Sequence, residues 1–369
     1  MEPALDVLSL PVTKDAYARP SREQPARARP WDDHRMELAL AIACSLAFAL
    51  TNGFHDAANA IATLVATRGA SPGHAIVLSA VFNMLGAIIA GTAVADTIGG
   101  IVVVPKDLAV AVIGSGVLGA TVWNVITWRR GLPSSSGHAL VGGLVGAALA
   151  TSGIDGVLWG GIDGWRPVGV FGVVIALAVS PVIGLVFGTA IARLTRWATR
   201  RATRRVHAPI RFGEWAMSAA LSFSHGSNDG QKAMGVTAAL LVASGHLNTF
   251  AVPLWVKVAC GLALTIGTAM GGWTIIRTIG RRILHLRPID GFTSQTSSTA
   301  VILASSYVGA PVSTTQVVAS SIVGIGMGRR RWHHVRWGVV RAIGFAWVVT
   351  LPAAAALGAA LSIIWVGAT

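Results

Sequence analysis

Charge is what this sequence has least of. Asp, Glu, Lys and Arg make up 12% of its 369 residues, against about 25% in soluble domains, so an ordinary water-soluble fold is excluded. Acid is scarcer than base, 15 residues against 29. There are two cysteines, Cys44 and Cys260, each inside an apolar run. They are poor evidence for a disulfide or metal framework and read as packing residues. No Gly-x4-Gly-Lys-Ser/Thr phosphate loop occurs, which argues against ATP hydrolysis by this chain as a driving force. The short alternating segments of a membrane β-barrel are missing too.

What the sequence has instead is long apolar runs: Ala39 to Leu50, Ala75 to Ala95, Ala109 to Thr127, Val168 to Ala192 and Val339 to Val366. Several reach the roughly 20 residues that cross a bilayer as helix. The expected class is an all-α polytopic membrane protein. Residues 1–35 are polar, with no basic start leading into an apolar core, so a disordered tail is expected there rather than a signal peptide. The pI near 11.4 raises nucleic acid as a partner. The arginines argue against it, because they sit in short clusters between apolar runs, as topology signals do.

Two stretches occur twice. Gly53 to Ala60 (GFHDAANA) is echoed by Gly226 to Ala233 (GSNDGQKA), aligning Asp56 with Asp229 and Asn59 with Lys232. Gly131 to Gly146 (GLPSSSGHALVGGLVG) is echoed by Gly309 to Gly324 (GAPVSTTQVVASSIVG), aligning Pro133 with Pro311 and Ser136 with Thr314. Two echoes in the same order indicate an internal duplication. The implied plan is a first transmembrane repeat over 36–192, a basic linker over 193–212 and a second repeat over 213–369. If each half holds two spanning helices, a hairpin tipped by its Ser/Thr tract and one last helix, it crosses the membrane an odd number of times. The second half is then inverted. With both termini outside, Arg68, Arg129, Arg130, the linker arginines from Arg193 to Arg211, Arg277 to Arg287 and Arg329 to Arg336 all fall in the cytoplasm. Lys106 and Arg166 remain outside, the asymmetry expected of a multi-pass protein in the cell membrane.

Ionisable groups inside spanning segments are costly and mark ion or substrate pathways. Asp56 and Asp229 are the acids set deepest among apolar neighbours, and inversion would bring them together near the midplane. Gly53 and Gly226 precede them, where a first helix broken in each half would free backbone groups for ligands. Asp56 also reads as a structural acid satisfied by Asn59, and Lys232 as a mere neutralising partner of Asp229. His55 and His225 read equally as packing or titrating residues. In the hairpins, Pro133 precedes Ser134, Ser135 and Ser136, and Pro311 precedes Ser313, Thr314 and Thr315. Such hydroxyl-rich helix starts, facing each other, suit a tetrahedral oxyanion. Two capped helices without a ligand are the plainer alternative. Gly142 to Gly146 fits small-residue helix packing. Lys257 and Arg341 have no assignment beyond snorkelling to the interface.

At these residues the chain resembles the PiT inorganic phosphate transporter family. The likeness covers most of residues 37 to 367, and rests on GFHDAANAIAT, HGSNDGQKAMG, GLPSSSGHAL and APVSTTQ. It implies a non-enzymatic symporter of inverted repeats with inorganic phosphate and a coupling cation as partners and no cofactor or resident metal. Phosphate ligands would be Ser134, Ser135, Ser136, Ser313, Thr314, Thr315 and Asp229; the coupling ion would lie at His55, Asp56, Asn59, Asn228, Asp229 and Lys232. Sodium-coupled members read Asn-Asp-x-x-Asn in both halves. Here the halves read His55-Asp56-x-x-Asn59 and Asn228-Asp229-x-x-Lys232, which resembles the bacterial low-affinity branch. That branch implies proton coupling, carried by Asp56, Asp229 or His55, and uptake of phosphate with a divalent metal. Sodium-coupled phosphate transport and a sulfate permease of the same fold are the alternatives. A homodimer stays open. A more distant one is an intramembrane hydrolase using Ser136 and His138, disfavoured because the second half repeats the hydroxyls without the histidine.

Overall fold

The computed structural model describes residues 31–163, 166–202 and 206–368. Most of the expected polar tail, and Arg204 and Arg205 of the expected linker, lie outside these residues. The described chain is helical apart from short turns and a two-stranded ribbon, Gly161–Asp163 with Arg166–Val168. Six of its helices are long and apolar enough to cross a membrane. The number is seven if Leu254–Met270 and Ile275–Arg282, bent by 70°, form one span.

The duplication is visible helix by helix. The first half runs α1 (Trp31–Ala66), α2 (Pro72–Ile89), α3 (Ala93–Gly99), α4 (Lys106–Arg129), α5 (Ser136–Ser152) and α6 (Gly169–Ala198). The second runs α7 (His207–Ala243), α8 (Leu254–Met270), α9 (Trp273–Arg277), α10 (Pro288–Tyr307), α11 (Thr314–Gly328) and α12 (Trp337–Ala368). Both closing helices carry an internal proline, Pro181 and Pro352. The stretch expected as a linker is largely helical, since α6 extends to Ala198 and α7 starts at His207.

Both hairpins turn by the same hydrogen bonds. At the end of α4, Gly131 N–H donates to Trp128 O and Leu132 N–H to Thr127 O; at the end of α10, Gly309 N–H donates to Ser306 O and Ala310 N–H to Ser305 O. This 6→1 and 5→2 pairing requires a left-handed residue. Gly131 and Gly309 supply it, with φ of 64° and 74°. The proline two residues on keeps the helix from continuing, and a Ser/Thr tract opens the returning helix.

The helix interruption expected at Gly53 and Gly226 does not occur. Helix α1 runs unbroken for 36 residues and α7 for 37. The glycines serve close approach instead: a methyl group at Gly53 would stand 2.2 Å from Leu264 O of α8, and one at Gly226 would stand 2.1 Å from Asn83 O of α2. Each long helix thus packs on the second helix of the other half.

The halves are interlocked elsewhere as well. Helix α5 seats on α12, and α11 seats on α6. The α5–α12 seam is built on the small residues of α5. A Cβ at Gly142 would meet Leu351 O at 2.4 Å, and one at Gly146 would meet Ala355 O at 2.0 Å. Without a hydrophobic drive between helices in lipid, such contact is what holds them. Gly146→Ala is therefore expected to destabilise the protein by about 1–3 kcal/mol through overpacking, read as a lowered melting temperature in detergent. Gly338→Ala, where no atom lies within 4 Å of the new methyl, is the control that should change little.

Candidate functional site

The two signature aspartates meet in the interior. Asp56 and Asp229 are each 1% exposed, and Lys232 is fully buried. A carboxylate without water needs donors, and the hairpin hydroxyls supply them. Ser136 Oγ donates to Asp56 Oδ2 at 2.8 Å, Thr315 Oγ1 to Asp56 Oδ1 at 2.7 Å, and Thr314 Oγ1 to Asp229 Oδ2 at 2.8 Å. Asp56 of the first half is thus held by hydroxyls from both halves.

The residues that the repeat aligns do unequal work. Asn59 Nδ2 donates to Asp56 Oδ1 at 3.1 Å, to Thr315 Oγ1 at 2.9 Å and to Thr314 Oγ1 at 3.3 Å, tying α1 to the second hairpin. Its counterpart Lys232 donates to Asp229 Oδ1 and, at 2.9 Å, to Val312 O of the second hairpin. A methyl group at Gly137, in the first turn of α5, would stand 3.4 Å from the Lys232 ammonium. Lys232 therefore stands between the two hairpin tips.

The remaining expected residues fall into three groups. His55 joins the site, with Nδ1 at 3.1 Å from Asp56 Oδ1, and Nε2 at 3.1 Å from Ser134 Oγ and 3.2 Å from Thr127 Oγ1. Ser135 and Ser313 are N-caps whose hydroxyls accept from the backbone N–H of His138 and Gln316. Asn228 makes its hydrogen bonds away from the carboxylates, its Nδ2 donating to Ser306 Oγ at 3.0 Å and Ala310 O at 3.3 Å.

His225 is more central than its sequence context suggested. Its Nε2 lies 2.9 Å from Asp229 Oδ2, while Nδ1 lies 3.0 Å from Asn83 Oδ1 of α2. The available signal was spacing, since His225 sits one helical turn before Asp229 and on the same face. Asp56, His225 and Asp229 each offer one ligand atom, all within 4.8 Å of one another. Chemically, the site combines hydroxyl donors, one ammonium and a cation-sized set of oxygen and imidazole ligands.

This arrangement is accompanied by a clear sequence match. The model of the phosphate transporter family matches residues 52–213 and again 198–358. The chain belongs to the phosphate transporter family. One relative, the probable low-affinity inorganic phosphate transporter of Rhizobium meliloti (strain 1021), is 40% identical over 320 residues, covering 86% of this chain and 93% of that protein. The protein of the same name in Bacillus subtilis (strain 168) is 40% identical over 324 residues, covering 87% and 94%. A solved structure described as the sodium-dependent phosphate transporter aligns with a TM-score of 0.77 and 25% identity, covering 89% of this chain and 98% of that one. The double match of the family model fits the duplication. With its apolar helices, this transporter is a multi-pass membrane protein and not a hydrolase.

Lys232 offers a direct test of how the site is balanced. Lys232→Met leaves Asp229 buried without its ammonium partner and with the Asp56 carboxylate close by, and is expected to cost about 3–5 kcal/mol. Thermal unfolding in detergent should show most of that loss recovered when Asp229→Asn is added, because both partners of the pair are then removed.

Proposed function

We propose that this transporter carries inorganic phosphate into the cell by symport with protons, with both termini outside and the segment between α6 and α7 in the cytoplasm. The carrying observation is the pairing of Lys232 with Asp229 where the first half has Asn59 beside Asp56. An ammonium occupies the place of a neutral oxygen ligand, which removes a ligand for sodium and supplies a positive charge itself.

Charge balance supports the same reading. Asp56 and Asp229 against Lys232 leave one net negative charge, and a singly charged phosphate raises that to two. Such a load is costly in a membrane interior. Protons on Asp56, Asp229 or His55 would relieve it. A divalent metal entering with phosphate would as well, held at Asp56, His225 and Asp229. Ser136, Thr314 and Thr315 would turn from the aspartates to the phosphate oxygens, with Ser134 beside them and Ser135 and Ser313 fixing the two helix starts. The names of the Rhizobium and Bacillus relatives support phosphate as substrate.

Sodium coupling is the second reading, favoured by the description of the structural neighbour as sodium-dependent. Uptake of labelled phosphate into proteoliposomes separates the two, with sodium, pH gradient and divalent metal varied independently. An inwardly directed proton gradient is expected to drive uptake without sodium, Asp56→Asn to reduce it to background, and excess sulfate to leave it unchanged. Sodium-dependent uptake indifferent to the pH gradient overturns proton coupling.

A further inference from the structure

Beyond the central site, α1 carries a polar stripe toward its C-terminal end. Asn59, Thr63 and Thr67 follow Asp56 at intervals of three and four residues, so they lie on one face. All are buried. The stripe ends at Glu214 of α7, which is fully buried and accepts a hydrogen bond from Thr67 Oγ1 at 2.5 Å. A methyl group at Gly291, in the first turn of α10, would stand 2.2 Å from Glu214 Oε1. Helices α1 and α10 thus meet at Glu214 while running in opposite directions. By helical register, Thr63 lies one turn back along α1 from Thr67, and Gln295 one turn on along α10 from Gly291.

Polar atoms along this line lack partners. Thr63 Oγ1, both amide atoms of Gln295 and Glu214 Oε2 are buried with no hydrogen-bond partner among the described residues. Buried polar groups are normally paired with protein or water. A row of such atoms where α1, α7 and α10 meet is what a route entered by water or an anion in another state would expose.

The inverted repeat supplies an internal control. The unbroken helices keep the alignment of the signatures in register. Thr63 then corresponds to Val236, Thr67 to Leu240, Gln295 to Val117, Gly291 to Ile113 and Glu214 to Ala41. All five counterparts are buried in one apolar cluster. The site is therefore sealed on one side by packed hydrocarbon and on the other by a polar contact.

We infer that the space between α1 and α10 is the cytoplasmic release route for the anion, and that Glu214, latched to Thr67, is its gate. This rests on the central site being the phosphate site. The route spans about 16 Å of helix from Asp56 to Thr67 at ~1.5 Å per residue. It opens at the end where Arg211 Nη1 donates to Arg68 O at 3.4 Å and Trp215 Nε1 to Gly69 O at 3.0 Å, contacts that fold the start of α7 over the mouth.

The test uses single cysteines in the full-length protein with Cys44 and Cys260 replaced by alanine, in vesicles of known orientation, with a membrane-impermeant thiol reagent. Thr63→Cys and Gln295→Cys are expected to react from the face bearing the α6–α7 connection, and Val236→Cys is not. Adding Glu214→Ala should speed the reaction of Gln295→Cys by about fivefold, the factor that a hydrogen bond of about 1 kcal/mol represents. Thr67→Val should act in the same direction if Glu214→Ala fails to fold. Equal labelling of Thr63→Cys and Val236→Cys from that face, or no acceleration by either latch variant, overturns the gate. Phosphate uptake by the parent protein is measured on the same vesicles. Its absence counts against the phosphate site itself, whereas intact uptake without labelling counts against the route alone.

Discussion

Two carboxylates buried side by side repel each other and have lost their water, so every element around Asp56 and Asp229 has to answer for them. Hydroxyls from both hairpin tips, the Asn59 amide, two imidazoles and the Lys232 ammonium do so. This explains why the hairpins turn where they do. A helix start placed at Ser136 or Thr314 brings a donor to the carboxylate, and the left-handed glycine and the proline before it fix that start. It also ties the two functions of the tract together. The hydroxyls that would bind an oxyanion are the same ones that hold the aspartates, so at such a site anion and proton or cation occupancy would be chemically linked.

The halves match in geometry but not in chemistry. Asn59 opposite Lys232, His55 opposite Asn228 and Thr67 opposite Leu240 are the positions where duplication has been broken. An inverted pair with identical chemistry would present the same site to both sides of the membrane. The departures make the two sides of the centre unlike: a positively charged residue on one, and a polar contact opposed to an apolar one.

Much of this was legible in the sequence because duplication amplifies weak signals. A single Ser tract after a proline means little, whereas two at matching positions defined the hairpins. The deep placement of Asp56 and Asp229 followed from their apolar neighbours. The breaks expected at Gly53 and Gly226 were not found, because a glycine looks the same whether it frees a backbone or admits a neighbouring one. The role of His225 was underestimated, since a histidine among small residues gives no sign of what it faces. The run Thr293 to Thr299 on α10, rich in hydroxyls and holding Gln295, drew no notice at all. Its meaning depends on α1 lying alongside, and periodicity specifies a face but not the helix it meets.

The exchange of closing helices bears on how the protein is made. The first hairpin finds its seat on α12, which follows it by nearly a whole repeat; Gly143 can pack on Gly116 of α4 at once, but until α12 is made Gly142 and Gly146 lack the partner they fit. Insertion and folding are therefore separate events for this chain. The first half enters the bilayer early, but it waits, unfinished, for nearly the whole of the second to be synthesised.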